Sequence, residues 1–112
     1  MKMKRKSLQG SLGPVARALD VIGDWWSLLI TYEVMAGAKR CGELQRNLGV
    51  AKNILATRLK VLSAEGIVEA VPASNGSVYR EYVITIKGRA SLPTLVALAQ
   101  WSSEYLFERR EA

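Results

Sequence analysis

Apolar positions recur at helical spacing in four successive stretches, then alternate, then return to helical spacing. Val15, Ala18, Leu19 and Ile22 share one side of a short helix that Pro14 can open, since a first helical turn tolerates proline. Gly23 stops it and Asp24 can cap the next helix. This second helix is expected from Trp25 to Ala36, ended by Gly37. Trp25, Leu28, Leu29 and Tyr32 form its apolar stripe, widened by Trp26, Ile30 and Val34, so it is expected at the centre of the core. A third helix, about Cys41 to Leu48, buries Leu44 and Leu48 and shows Gln45 and Arg46. Gly49 ends it. A fourth, from about Lys52 to Glu65, has Leu55, Leu59 and Leu62 as its buried seam, flanked by Ile54 and Val61, and Gly66 stops it.

Ile67 to Val71 is short and rich in β-branched residues, which predicts a strand. Residues 72–77 are turn chemistry, with Asn75-Gly76 favouring a tight hairpin. Val78 to Ile86 alternates as a second strand, with Val78, Arg80, Tyr82, Ile84 and Ile86 on one face. From Gly88 to about Arg109 the helical period returns, and Pro93 implies a late start or a kink. The order is α-α-α-α-β-β-α, an α+β and mainly helical chain. Two short helices joined by Gly49-Val50-Ala51 and followed by a hairpin make the layout of a winged helix-turn-helix. Residues 1–12 read as a flexible basic arm. Residues 13–112 read as one domain, with the helix-turn-helix over 39–66, the wing over 67–86 and a long C-terminal helix over 88–109.

Composition narrows the function. The 112 residues are 49% hydrophobic and 23% charged, an ordinary globular composition, with a net charge of +6. Polyanions are the natural partners, nucleic acid before anionic membrane. The chain has no His and one Cys, which removes the commonest general base, the commonest metal ligand, any internal disulfide and a Cys-based zinc site. No paired-carboxylate motif replaces them, so no enzyme, metal or cofactor is expected. No apolar run approaches the ~20 residues that span a bilayer. The basic start lacks the apolar stretch of a signal peptide, so a cytoplasmic location without membrane contact is expected.

The charge is concentrated. Lys39, Arg40, Arg46, Lys52, Arg58 and Lys60 are opposed only by Glu43 within 39–60, and the arm adds Lys2, Lys4, Arg5 and Lys6. On the fourth helix Lys52, Asn53, Ala56, Thr57 and Lys60 lie opposite the leucine seam. Such a stripe can read DNA, because Lys meets phosphate or guanine, Asn pairs with adenine, and the Ala and Thr methyls meet thymine. The competing reading is a solvated helix face. Candidate contacts with double-stranded DNA are therefore Lys39, Arg40, Gln45, Arg46, Lys52, Asn53, Ala56, Thr57, Arg58 and Lys60. Asn75, Ser77 and Arg80 are the wing's candidates, suited to positioning on the DNA backbone.

These residues resemble the HxlR-type helix-turn-helix regulators, relatives of the MarR-like winged helices. The family-like segments run from Pro14-Val15-Ala16-Arg17-Ala18-Leu19-Asp20-Val21-Ile22-Gly23-Asp24 through Trp26-Ser27-Leu28-Leu29-Ile30 to Gly42-Glu43-Leu44-Gln45-Arg46. Arg58-Leu59, Glu65-Gly66-Ile67-Val68, Glu81-Tyr82 and Thr85-Ile86-Lys87-Gly88-Arg89 complete the set, and the ordered set is specific where no single piece is. The resemblance implies a homodimeric transcriptional regulator, a repressor rather than an activator, whose two recognition helices enter successive major grooves of a roughly palindromic operator. It implies dimerisation through the first and last helices, with Val15, Leu19, Leu95, Leu98, Trp101, Tyr105 and Leu106 as candidate interface residues. The alternative is that they cap the monomer core.

Departures from the family pattern bear on function. Gly13 stands where oxidant-sensing members have a Cys, which closes that route to thiol sensing. Cys41 replaces a usual aromatic core residue, so it reads as a small buried filler, with a reactive thiol beside Lys39 and Arg40 as the alternative. Ala51 replaces a capping Ser at the start of the recognition helix. Trp25 with Trp26 is a candidate lining for an aromatic pocket near the dimer interface, where a small-molecule effector would sit; core packing is the other reading. The rival functions are an architectural nucleic-acid binder without operator specificity and a protein-interaction module.

Overall fold

The computed structural model describes residues 13–76 and 78–107. The basic arm and Ser77 lie outside the described residues. Helix α1 is Pro14–Ile22, α2 Trp25–Met35, α3 Cys41–Leu48 and α4 Lys52–Ala64. Strands β1 (Val68–Pro72) and β2 (Arg80–Ile84) follow, then α5 (Ile86–Arg89) and α6 (Leu92–Tyr105). This is a winged helix-turn-helix whose C-terminal helix is divided in two.

The core gathers where several elements present aliphatic side chains together. Ile30 and Val34 of α2 and Leu44 of α3 meet Leu55, Leu59 and Leu62 of α4, with Ile67 and Val68 at the start of the wing. The α4 seam is the one its spacing predicts. The face of α2 is not. Its buried side is Ser27, Ile30, Thr31 and Val34, while Trp25, Leu29 and Tyr32 of the expected stripe are exposed. Two polar residues can enter the core because local bonds satisfy them. The Ser27 hydroxyl donates to Asp24 Oδ2 (2.6 Å), and Thr31 Oγ1 donates to the Ser27 carbonyl (2.8 Å). Asp24 also caps α2, accepting from the Ser27 amide at 2.9 Å.

The two strands pair antiparallel, from Val68 opposite Ile84 to Pro72 opposite Arg80. A further bridge joins Tyr82 to Lys39, whose amides donate to each other's carbonyls at 2.7 and 3.0 Å. The wing is thereby sewn to the α2–α3 connection, a pairing that no alternation in the sequence announces. The hairpin is wider than the Asn75-Gly76 pair suggests. Gly76 donates to the Ala73 carbonyl at 3.1 Å, so Asn75 and Gly76 close a four-residue turn instead of a two-residue loop.

Val78 and Ile86 leave the expected second strand. Both are almost fully exposed, and Ile86 opens α5, because the Thr85 hydroxyl accepts from Gly88 N–H (2.8 Å) and caps a helix there. The expected 88–109 helix is then interrupted. Pro93 has no N–H to give the Arg89 carbonyl, and α6 starts afresh at Leu92. Gly88 is buried against the base of the wing, where an added Cβ would collide with the Ile67 carbonyl oxygen and stand 2.7 Å from Ile84 Cδ1. Gly88→Ala is expected to lose about 1–3 kcal/mol by overpacking, read as a lower urea midpoint with an unchanged m-value.

Candidate nucleic-acid interface

The turn between α3 and α4 sets how the recognition helix is presented. Gly49 takes a left-handed conformation (φ 71°, ψ 22°), its amide closes α3 on the Gln45 carbonyl at 2.8 Å, and Val50 is buried beside the helices. Ala51 follows in extended conformation and makes no side-chain cap, as its methyl dictates. With its leucines held inward, α4 exposes Lys52, Asn53, Ala56, Thr57 and Lys60. Thr57 Oγ1 donates to the Asn53 carbonyl (3.0 Å), which orients the Thr57 side chain on this face.

The wing lies beside this face. An open cleft of about 780 Å³ runs between the start of α3, the start of α4 and β2, lined among others by Arg46, Lys52 and Arg80. Arg80 is exposed and donates from Nη2 to the Ala70 carbonyl (3.1 Å), which stiffens it across the hairpin. Arg40 reaches the same cleft, and its amide donates to Glu43 Oε1 at 2.8 Å to close the first turn of α3. Gln45 also lines the cleft, half-buried, while Asn75 is exposed on the wing turn. Glu81, Tyr79 and Tyr82 belong to this cleft too, although alternation alone marks them only as strand residues.

Two expected DNA contacts are spoken for elsewhere. Lys39 Nζ donates to the Glu33 carbonyl at 3.0 Å and to the Gly37 carbonyl at 3.3 Å, which closes the end of α2 with a cation. Arg58 turns inward from α4, and its Nε sits 3.7 Å from Asp24 Oδ1, buried and without a hydrogen bond among the described residues. Burial alone would raise the Asp24 carboxyl, but the Ser27 hydroxyl and amide and the Arg58 charge outweigh it and hold it below its ordinary value.

The remaining expectations divide. Cys41 is exposed, not a buried filler, because it is the first residue of α3 and faces the wing instead of the core. Partial burial still raises its thiol, with the nearby Lys52 charge opposing the rise. Burial likewise raises the Tyr82 phenol. Trp26 packs on the core while Trp25 is 73% exposed; the rings meet edge to face at 6.5 Å, and neither lines this cleft. Leu95, 7% exposed, is buried within the chain itself and so is not open to a second copy as the other candidate dimer residues are. Val15, Leu19, Leu98, Trp101, Tyr105 and Leu106 are all exposed. Among the described residues no group of three or more His, Cys, Asp or Glu could hold a metal, and no helix is long and apolar enough to cross a membrane.

Comparison with known proteins points one way. Residues 21–110 match the HxlR-like helix-turn-helix family. The HTH-type transcriptional regulator Rv3095 of Mycobacterium tuberculosis, itself uncharacterised, is 41% identical over 92 residues, which cover 82% of this chain and 58% of that protein. The chain thus spans little more than half the length of that relative. YvaP of Bacillus subtilis, also an uncharacterised HTH-type regulator, is 31% identical over 91 residues, covering 80% of this chain and 84% of YvaP. Among solved structures, PA1607, a transcription-factor candidate, superposes with a TM-score of 0.88 at 50% identity, covering 96% of this chain and 75% of that one. The redox regulator HypR in its reduced form gives 0.75 at 30% identity, covering 82% and 92%.

Proposed function

Because the chain belongs to the HxlR-like helix-turn-helix family, we propose that it is a sequence-specific DNA-binding transcriptional regulator, acting in the cytoplasm as a homodimeric repressor on a roughly palindromic operator. One observation carries the reading. The exposed side of α4 presents Lys52, Asn53, Ala56, Thr57 and Lys60 together, back to back with the buried leucines and beside a wing that brings Arg80 to the same side. Lysine and arginine there displace counterions from phosphates and supply most of the affinity. Asn53, Ala56 and Thr57 offer the groups that discriminate bases in a major groove. Arg80 and Asn75 hold the wing on the sugar-phosphate backbone. Arg46 and Gln45 at the end of α3 fix the register. Lys39 and Arg58 are not part of this contact set.

The dimer is inferred from the apolar surface that α1 and α6 leave uncovered. Val15 and Leu19 lie one turn apart, as do Leu98, Trp101 and Tyr105, so each helix shows an apolar stripe to solvent. A second copy covers both stripes, and any effector that reorients the two copies changes the spacing of the two α4 helices and with it operator affinity.

Fluorescence anisotropy with DNA from upstream of the protein's own gene, at near-physiological salt and with excess random competitor, tests the reading. Binding that survives the competitor is expected. Binding that the competitor erases would favour an architectural nucleic-acid binder instead. In the same assay Lys60→Ala is expected to weaken binding to all sequences and to reduce the log–log salt slope by about 1. A slope equal to that of the unaltered protein would remove Lys60 from the phosphate contacts.

A further inference from the structure

We propose that Arg58 is a positioning residue for base discrimination: paired with Asp24, it sets the rotation of α4 about its own axis and so decides which side chains meet the groove. The setting of α4 is a property of the free chain, and only its effect on DNA rests on the DNA-binding reading.

Arg58 stands in the middle of α4, roughly 170° round the helix from the centre of the Lys52, Asn53, Ala56, Thr57 and Lys60 stripe at 3.6 residues per turn. It therefore turns away from the groove that this stripe would enter. Its partner is a fixed point. Both Asp24 carboxylate oxygens accept from Ser27, Oδ1 from the amide and Oδ2 from the hydroxyl. Ser27 is itself fully buried, and its carbonyl accepts from Thr31 Oγ1. Arg58 Nε lies buried 3.7 Å from Asp24 Oδ1.

The rest of the seating of α4 is less directional at this level of the helix. Leu55, Leu59 and Leu62 hold the inner face by apolar burial, which opposes withdrawal more than a small rotation. Ala51 supplies no side-chain cap at the N-terminal end. Lys87 Nζ donates to the Glu65 carbonyl and Thr85 Oγ1 to the Gly66 carbonyl, both at 2.6 Å, but these bonds lie beyond the last turn. Arg58 acts from mid-helix, next to Thr57. Rotating it away separates two partly buried opposite charges and leaves each short of its counter-ion, a costly change. A rotation of about 10° moves a side-chain tip some 6 Å from the helix axis by about 1 Å, enough to spoil a paired hydrogen bond to a base.

Three variants carry the test: Arg58→Gln, Asp24→Asn and the two together. The single changes shift the net charge in opposite directions, and the double variant keeps it at +6. If Arg58 acted through charge alone, Arg58→Gln would weaken binding to all DNA, Asp24→Asn would strengthen it, and the double variant would match the unaltered protein. Positioning has a different signature. All three variants should lose about tenfold in the ratio of operator to random-DNA affinity, which is roughly one base contact, and the double variant should lose no more than either single one. Arg58→Lys, which keeps the charge, should recover part of the ratio. Circular dichroism on the same samples checks that each variant is folded.

Residual dipolar couplings of the backbone amides in the full chain, without DNA, read the helix setting directly. Their periodic variation along α4 should change phase in Arg58→Gln and in Asp24→Asn, while that along α2 and α3 stays as in the unaltered protein. An unchanged phase along α4 in both variants would overturn the proposal. So would a double variant with the selectivity of the unaltered protein, and so would single variants that lose operator and random-DNA affinity equally. If the unaltered protein shows no preference for its operator, the DNA-binding reading falls by itself, and the couplings still decide whether Arg58 sets α4.

Discussion

Asp24→Ala is expected to cost about 2–4 kcal/mol of folding stability, more than loss of a helix cap alone. Three losses coincide at one side chain. The first is the α2 cap, the 2.9 Å bond from Ser27 N–H to Oδ1, for which caps are typically worth about 0.5–2 kcal/mol. The second is the partner of the Ser27 hydroxyl, which is fully buried and donates to Oδ2; an orphaned buried donor costs about 1–3 kcal/mol. The third is the charge that faces Arg58 Nε. The three share one carboxylate, so they do not add in full. Asp24→Asn should recover the cap and lose the charge, and so fall between the two. Urea titration of the three proteins at neutral pH orders them, and equal midpoints for Asp24→Ala and the unaltered protein would sink this account of the corner.

The pH dependence has a definite sign. The Asp24 carboxyl sits below its ordinary value in the folded chain. Its contribution is therefore fully present above the unfolded value of about 3.9 and is lost as pH falls through the lower folded value. The gap between Asp24→Asn and the unaltered protein should close as pH drops into that window. Because Arg58 belongs to α4 and Asp24 starts α2, loss of the pair also loosens the recognition helix against its scaffold.

How much a sequence discloses depends on whether a residue's neighbours are local. Leu55, Leu59 and Leu62 announce the inner face of α4 through spacing alone, and Asp24 announces a cap through chemistry alone. Helix α2 has no phase to read, since apolar residues surround it. Its inner face is decided by Ser27 and Thr31, which enter the core only because Asp24 and a carbonyl one turn back satisfy them. Ile86 leaves the strand because Thr85 can cap a helix, an option that alternation does not weigh. The candidate site shows the same division. Charge counting gathers the cations of the helix-turn-helix into one region, but it cannot tell free cations from engaged ones. Lys39 closes α2 and Arg58 faces Asp24, both through contacts made across turns or between helices. The cleft needs the wing folded back over α3, and so spacing assigns Tyr79, Tyr82 and Cys41 to a strand and a core, not to one surface.

Trp101→Glu is expected to leave the helices intact, convert the protein to a monomer at micromolar concentration and lower operator affinity by about 100-fold or more. Trp101 is 55% exposed on α6, between Leu98 and Tyr105, and is not one of the residues that make up or pack against the core. In a dimer it would be buried, and large central aromatics are where interfaces concentrate their energy. Glutamate removes that contact and places an unpaired charge in the interface, which costs more than a truncation to alanine. The DNA effect arises without any DNA contact by Trp101. Two recognition helices on one dimer bind their half-sites with an effective local concentration that two free monomers lack, and separating them forfeits that advantage. Sedimentation velocity and circular dichroism on the same sample separate dissociation from unfolding. Anisotropy on the whole operator and on an isolated half-site completes the test, because affinity for the half-site should be unchanged. A Trp101→Glu protein that stays dimeric and binds the operator normally would remove α6 from the interface and return its apolar stripe to the status of exposed surface.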